Sequence, residues 1–212
     1  MLVQENKIKG ATCGCMNTNF VYTIDRSLYI NATNRCTNSC EFCVRNNPNF
    51  VYGDLWLEHE PTPEEVLAKL SMYDVKDYDE VVFCGYGEPT YRLDVIEVVS
   101  KYAHSHGLKT RINTNGHANY IHGKDVTQLI VDCIDTIGIS LNDISHKEYN
   151  DICHPEFEDG FEEMLSFAKL CLEKGGNVIF SVVDVIGIEK IEKAKEIAKS
   201  IGAKLRIREF ID

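Results

Sequence analysis

Residues 27–43, SLYINATNRCTNSCEFC, join a predicted strand to three closely spaced cysteines. The first six residues favour a strand, and Cys36, Cys40 and Cys43 follow with the spacing CxxxCxxC. Three neighbouring thiolates can surround one compact metal centre, and sulfur ligands favour zinc or an iron–sulfur cluster. Because the active sites of parallel sheets lie in the loops after the strands, we expect a metal centre at the carboxyl end of this strand.

The number of grouped cysteines separates these two kinds of metal centre. Structural zinc takes four ligands, commonly in two pairs, whereas only three cysteines are grouped here. Three thiolates on a cluster of four irons leave one iron open for another ligand. We therefore predict one iron–sulfur cluster on Cys36, Cys40 and Cys43, with zinc or buried free thiols as the alternatives. The pair Cys13 and Cys15 offers too few ligands for a second cluster.

Composition and charge narrow the class of protein. The 212 residues are enough for one domain, and 33 acidic against 22 basic side chains give a net charge of −11. This acidic balance argues against binding to nucleic-acid phosphates or to an anionic membrane surface. The sequence shows neither a membrane-spanning apolar run nor an export signal, so we expect a cytoplasmic protein. Nine cysteines, an odd number, do not suggest a disulfide framework.

Strand and helix patterns alternate along the rest of the chain. Thr62 and Pro63 mark a helix start, and later apolar residues recur at helical spacing. Such strand–helix–strand units predict a parallel sheet with right-handed connections. The predicted strands are residues 27–32, 80–84, 109–113, 136–142, 177–184 and 204–209. The predicted helices begin at residue 62 and cover residues 94–106, 126–133, 161–172 and 188–201.

Side-chain alternation in these strands favours a barrel. In residues 204–209, Leu205 and Ile207 fall on one face, while Arg206 and Arg208 fall on the other. One face of the sheet is thus repeatedly polar, as expected of a water-filled interior with helices only outside. We therefore predict an α/β fold, an open partial (β/α)6 barrel, with a doubly wound sheet as the alternative. Residues 27–212 form the predicted core domain, and residues 1–26 are a predicted extension: a strap, a lid or a hairpin.

Polar groups at the predicted strand ends complete the candidate site. The segment Gly85-Tyr86-Gly87-Glu88-Pro89 follows the second strand, where glycines allow the backbone to approach a ligand closely. Inward-facing polar residues, and a turn signal at the end of the third strand, could bind a ligand or merely cap strand ends. Two of the inward arginines, Arg206 and Arg208, could bind an anion or pair with internal acids. The remaining polar candidates are Asn113, Ser140, Asn142 and the third inward arginine, Arg111.

These features together resemble the radical S-adenosylmethionine (SAM) superfamily. The resemblance rests on CxxxCxxC with the aromatic Phe42, its place after the first strand, and the segment GYGEP. It implies a 4Fe-4S cluster whose open iron is chelated by the amino and carboxylate groups of SAM. It also implies reductive cleavage of SAM to a radical that abstracts hydrogen from a substrate. A one-electron donor such as flavodoxin or ferredoxin would supply the electron.

The resemblance also implies residues that bind SAM. Phe42 is expected beside the adenine, and Gly85, Tyr86, Gly87 and Glu88 match the GGE-type segment that binds the SAM amino group. Tyr86 replaces the second glycine, which is a departure from the family pattern. The other expected SAM contacts are Asn113, Ser140, Asn142 and Arg208.

Most of residues 27–212 resemble a narrower group, the TatD-linked radical SAM proteins. The resemblance implies a functional link to a TatD-like hydrolase and no settled reaction. Two rival radical SAM functions stay open: activation of a glycyl-radical enzyme, and modification of a nucleotide or nucleic acid. A non-catalytic zinc-binding module is the alternative from another class. The strings that carry the resemblance are LYINATNRCTNSCEFCVRN, GYGEPTYR, INTNGHAN, SLNDISHKEYNDICHP and SVVDVIGIEKIEKAKEIAKSIGAKLRIREF.

Overall fold

The computed structural model describes residues 19–46 and 55–209, which form one sheet with helices packed against it. The seven strands lie in chain order, the first pair antiparallel and all later pairs parallel. This order confirms the predicted parallel strands and adds one antiparallel edge strand. The strands are β1 (Val21–Ile24), β2 (Ser27–Ile30), β3 (Glu80–Phe83), β4 (Lys109–Thr114), β5 (Thr136–Ser140), β6 (Val178–Val183) and β7 (Lys204–Arg208).

Helices follow each parallel strand except the last, β7, and return the chain for the next strand. Thr62 starts the first helix with the predicted cap, because its side chain and that of Glu65 bond reciprocally to the backbone. None of the helices in the described ranges has the length and apolar character needed to cross a bilayer. The helices are α1 (Pro63–Leu70), α2 (Leu93–Ser105), α3 (Ala118–His122), α4 (Thr127–Cys133), α5 (His146–Cys153), α6 (Gly160–Glu173) and α7 (Ile188–Ile201).

The two faces of the sheet differ as the alternation predicted. Ile112, Ile137 and Phe180 are fully buried in the apolar core shared with the helices. The opposite face encloses a polar cavity, in which Arg111 and Arg206 stand on different strands. The structure thus confirms the partial (β/α)6 barrel, with an apolar layer outside the strands and a polar lumen inside them.

Strand β1 lies within the predicted N-terminal extension and pairs with β2 as a hairpin. Asp25 takes a left-handed conformation in the turn, with φ of 49°, and the next residue, Arg26, forms an ion pair of 2.8 Å with Asp79. The hairpin was one of three interpretations that the sequence left open for the extension. Residues 1–18, with Cys13 and Cys15, lie outside the described residues.

Candidate functional site

The cysteine loop, residues 31–43, leaves the carboxyl end of β2 and carries Cys36, Cys40 and Cys43. All three cysteines have free, half-buried thiols. The loop ends in a short 3-10 turn, Val44–Asn46, whose last N–H donates to the carbonyl of Cys43 at 2.8 Å. One local segment therefore presents three sulfur ligands at the mouth of the barrel.

Nitrogen donors surround two of these sulfurs. The backbone N–H of Asn38 lies 3.4 Å from Cys36 Sγ, and Arg45 Nε lies 3.4 Å from Cys43 Sγ. Asn115 Nδ2 is a longer contact, 3.8 Å from Cys36 Sγ. Burial raises the pKa of Cys36 to about 12, so a bound cation is needed to hold this side chain as a thiolate. N–H groups beside ligand sulfurs stabilise that thiolate once it forms.

The three sulfurs do not all lie within 4.8 Å of one another. Zn–S bonds of about 2.3 Å in a tetrahedron place two sulfurs about 3.8 Å apart. In the described parts of the chain, only His146, Asp159 and Glu162 form a group of three potential ligand atoms within 4.8 Å of one another. The three cysteine sulfurs do not meet this limit.

A fourth cysteine lies directly behind the cysteine loop. Cys153, at the end of α5, is fully buried, and a hydrogen bond between its thiol and that of Cys40, together with burial, raises the pKa of Cys40. The backbone N–H groups on either side of Cys40 donate to α5: Ser39 to the Cys153 carbonyl at 2.9 Å, and Glu41 to that of Ile152 at 3.1 Å. The loop is therefore fixed to the end of α5, a contact that the sequence did not reveal.

Buried polar side chains support the cysteine loop from below. Asn115 Nδ2 donates to Thr37 Oγ1 at 2.7 Å, and Thr37 Oγ1 lies 2.8 Å from His117 Nδ1. His117 Nε2 lies 2.9 Å from the Gly160 carbonyl, so we place the ring proton on Nε2, and Nδ1 accepts from Thr37. Burial lowers the pKa of His117 to about 4, which keeps the ring neutral. The chain of bonds ties the loop to β4 and α6.

Two asparagine side chains at the site keep an unused acceptor. Asn38 Nδ2 donates to the Tyr149 hydroxyl at 3.0 Å, and Asn142 Nδ2 lies 3.2 Å from Cys153 Sγ. The amide oxygens Oδ1 of Asn38 and Asn142 are buried and accept no hydrogen bond. Unsatisfied buried acceptors are costly in a folded protein, so a ligand with N–H or O–H groups would relieve them.

The GYGEP segment packs against the cysteine loop because it contains glycine. A Cβ atom on Gly87 would lie closer than 3.0 Å to the carbonyl oxygens of Thr33 and Arg35, and one on Gly85 would clash with the Asn31 side chain. The Tyr86 N–H donates to Asn31 Oδ1 at 3.2 Å. The two glycines thus permit the close approach of the loops after β2 and β3. Tyr86, the departure from the family pattern, leaves this packing intact.

The buried carboxylate of Glu88 accepts hydrogen bonds from four groups of the protein. One oxygen accepts from Thr90 N at 3.1 Å and from the hydroxyls of Thr90 and Thr114, both at 2.7 Å. The other accepts from the backbone N–H of Asn115 at 2.7 Å. Burial raises the pKa of Glu88, and these hydrogen bonds oppose that shift. The side chain joins the loop after β3 to the end of β4.

The lumen beside these loops is lined from four adjacent strands. Arg111 forms a bidentate pair with Glu80, with Nη2 2.8 Å and Nε 3.2 Å from its carboxylate oxygens, and also donates to Asn113 Oδ1 at 3.1 Å. This ion pair lowers the pKa of Glu80. The remaining lining residues are Thr136, Gly138, Ser140, Ile179, Ser181, Arg206 and Arg208.

The structure places the sequence-predicted site residues in two adjoining regions. Asn113, Ser140 and Arg208 line the lumen. Asn142 stands at the end of β5 with φ of 60° and faces Cys153, while Phe42 on the cysteine loop is 38% exposed. The cysteines, the GYGEP segment and Glu88 meet at the loops above the lumen. The supporting residues that the sequence did not predict are Thr37, Asn38, Asn115, His117, Tyr149 and Cys153.

Comparison with known proteins supplies a family. The model described as "Radical SAM superfamily" matches residues 30–201. The curated relative "Molybdenum cofactor biosynthesis protein 1" of Bos taurus is 27% identical over 189 residues, which are 87% of this chain and 28% of that protein. The chain thus spans just over a quarter of that relative's length.

Solved structures share the fold. SuiB of Streptococcus suis bound to S-adenosylmethionine matches 92% of this chain and 41% of its own, with a TM-score of 0.64 and 17% identity. Native anSMEcpe with bound AdoMet matches 87% of this chain and 51% of its own, with a TM-score of 0.64 and 16% identity. TYW1 with a bound lysine–pyruvate adduct matches 94% of this chain and 70% of its own, with a TM-score of 0.61 and 20% identity.

Proposed function

The chain belongs to the radical SAM superfamily, whose members are enzymes, and on that premise we propose that Cys36, Cys40 and Cys43 bind one 4Fe-4S cluster. We propose further that the enzyme cleaves S-adenosylmethionine reductively in order to abstract hydrogen from its substrate. The observation that carries the proposal is the group of three free thiols on one loop after β2, whose sulfurs do not all lie within 4.8 Å of one another.

The surroundings of the cysteines suit such a cluster. N–H donors lie beside the sulfurs of Cys36 and Cys43, and the thiol of Cys153 forms a hydrogen bond with that of Cys40. Three protein ligands leave one iron for SAM, and the unused acceptors on Asn38 and Asn142 lie among residues that contact this loop and Cys153. When bound and reduced by one electron, the cluster and SAM supply a 5′-deoxyadenosyl radical that takes a hydrogen atom from the substrate.

The main chain of the GYGEP segment is the proposed partner of the SAM amino group. Gly85, Tyr86, Gly87 and Glu88 lie against the cysteine loop, and the Glu88 carboxylate is already occupied by four donors. The Glu88 side chain therefore acts by holding this loop in place, and the backbone carbonyls of the segment are the proposed acceptors for the SAM amino group.

The other proposed SAM contacts lie on the lumen side and on the cysteine loop. Asn113 and Ser140 offer an amide and a hydroxyl to the ribose, and Arg208 offers a guanidinium to the carboxylate. Asn142 offers its unpaired Oδ1, and Phe42, which is partly exposed, offers its ring to the adenine. SAM would thus lie across the barrel mouth between the cysteine loop and β7.

The proposed partners follow from this chemistry. Reduction by one electron calls for a donor protein such as flavodoxin or ferredoxin, docking near the cysteine loop. The likeness of the sequence to the TatD-linked group supports a functional link with a TatD-like hydrolase. Activation of a glycyl-radical enzyme and modification of a nucleotide are the rival reactions. The proposed domain organisation is an extension over residues 1–26 and a core over residues 27–212.

Single-cysteine variants test the cluster directly. The anaerobically reconstituted protein should hold about four irons and four sulfides and give the Mössbauer spectrum of a 4Fe-4S cluster. Cys36→Ala, Cys40→Ala and Cys43→Ala should each lose most of that iron. The matched control is Cys133→Ala, a buried cysteine on α4 that should keep it. Stoichiometric zinc in protein isolated anaerobically from its own host, or full iron in all three variants, would contradict the proposal.

A further inference from the structure

The three arginines of the lumen differ in their ionic partners. Arg111 is neutralised by Glu80 through a bidentate pair, in which the two side chains are only 18% and 26% exposed. Arg111 also lies over the ring of Tyr29. These contacts use its guanidinium inside the protein, so Arg111 is a structural part of the lumen wall.

Arg206 and Arg208 have no such partner. They stand two residues apart on the inner face of β7, and within the described ranges no carboxylate lies at ion-pair distance from either side chain. Both reach solvent through the open lumen, yet the surrounding protein and the charge of Arg206 lower the pKa of Arg208. The chain carries 33 acidic residues against 22 basic ones, so carboxylates are abundant. Glu80 is held in its ion pair with Arg111 and attracts Arg206 only from beyond ion-pair distance, so two adjacent cations face the cavity without a paired carboxylate among the described residues.

Hydroxyl groups stand beside the first of these cations. The register of β6 and β7 places Ser181 opposite Arg206, and that of β5 and β6 places Ser140 opposite Ser181. All three line the same cavity. Neighbouring strands lie about 4.8 Å apart, so one oxyanion can contact a guanidinium and the adjacent hydroxyl together. Arginine binds planar carboxylates and phosphates through two parallel N–H groups.

We infer that Arg206, with Ser181, binds an anionic group of the substrate, a carboxylate or a phosphate, inside the lumen. The inference rests on the proposed function, in which Arg208 serves the SAM carboxylate and Ser140 the ribose. Arg206 lies two residues before Arg208 on β7, deeper in the barrel than the carboxyl ends of the strands. The anionic end of the substrate therefore lies beside SAM, at the level of Ser140 and Ser181 in the sheet.

Anion titrations of the full chain test this assignment. Inorganic phosphate and succinate are titrated in separate arms, each with and without the reconstituted cluster and SAM. Wild-type protein should bind at least one of them, which identifies the class of anion. Arg206→Gln should weaken that binding at least about tenfold, equivalent to about 1.4 kcal/mol. Ser181→Ala should weaken it about threefold.

The matched control is Lys204→Gln, which removes one positive charge from the exposed start of the same strand. It should change the affinity by less than about twofold. Equal losses of anion affinity in the Lys204 and Arg206 variants would overturn the inference. So would the failure of wild type to bind either phosphate or succinate. Binding that depends on Arg206 in a protein unable to hold the cluster would refute the proposed function and leave the anion site standing.

Discussion

The carboxylate of Glu88 accepts a 2.7 Å hydrogen bond from the backbone N–H of Asn115. Through this bond the loop after β3 is joined to the loop after β4. The side chain of Asn115 continues the connection to Thr37, next to the first cysteine. Three loops from three parallel strands therefore form one hydrogen-bonded unit at the mouth of the barrel. The position of the three sulfurs therefore depends on buried polar groups outside the three cysteines.

Replacement of Glu88 tests this unit. Glu88→Gln removes the charge and turns an amide N–H₂ towards groups that already donate, so at least one of the four hydrogen bonds is lost. The free energy of unfolding, measured with urea, should fall by about 2 kcal/mol. Glu64→Gln, in the exposed first turn of α1, is the control and should change it by less than about 0.5 kcal/mol. Equal values for the two variants would show that the Glu88 contacts contribute nothing.

Replacement of Gly87 tests the close approach of the two loops. In Gly87→Ala the new methyl group meets backbone oxygens of Thr33 and Arg35, which cannot rotate away. Overpacking of this kind should cost about 2 kcal/mol or more and lower the iron content after reconstitution.

The control for that variant is Gly107→Ala, which has φ of +77° and open space around its Cβ position. It carries only backbone strain, about 1 kcal/mol, and should bind iron normally. The steric account of Gly87 fails if the iron content of the Gly87 variant matches that of this control.

The buried ring of His117 predicts a dependence of stability on pH in cluster-free protein. Its folded pKa of about 4 lies below the ordinary value of 6.5, so protonation favours the unfolded chain. The stability that His117 contributes is complete above pH 6.5 and is lost as the pH falls towards 4. Between pH 7.5 and 4.5 this group should remove about 2.5 kcal/mol. Urea unfolding of wild type and His117→Gln should show a smaller decrease in the variant, and equal decreases would contradict the assignment.

Neutralising Arg111 and neutralising Arg206 should change the stability of the fold in different ways. Arg111→Gln leaves Glu80 without its partner and should destabilise the fold by about 1–2 kcal/mol, and the added change Glu80→Gln should recover part of that loss. Arg206→Gln removes an unpaired cation and should leave the stability unchanged or higher. Thermal unfolding of wild type, Arg111→Gln, the double variant Arg111→Gln/Glu80→Gln and Arg206→Gln measures these stabilities. A loss of stability in Arg206→Gln as large as that in Arg111→Gln would show that Arg206 has an ionic partner outside the described residues.

The features predicted from the sequence were those with local patterns. Period-two alternation in β7 placed Arg206 and Arg208 on the inner face, and the cap at Thr62 located the start of α1. The spacing of the cysteines located the candidate metal centre. The missed elements are short: β1, with four residues, α3, with five, and α5, with eight, are stabilised by neighbours more than by their own periodicity.

The supporting contacts of the site could not be read from the chain. Thr37 and His117 are 80 residues apart, and Asn38 and Tyr149 are 111 apart, so no spacing signals their hydrogen bonds. The same holds for the contact of Cys153 with Cys40. The sequence placed Arg111 and Arg206 alike in the lumen, and only the fold shows that Glu80 neutralises the first of them.

Formation of 5′-deoxyadenosine tests the central claim most directly. Anaerobically reconstituted protein is mixed with SAM and dithionite, and the product is measured by mass spectrometry. We predict that Cys133→Ala forms as much 5′-deoxyadenosine and methionine as wild type does, while Cys40→Ala forms neither product. The account is contradicted if wild type with a verified cluster yields no 5′-deoxyadenosine, or if Cys40→Ala yields as much as wild type.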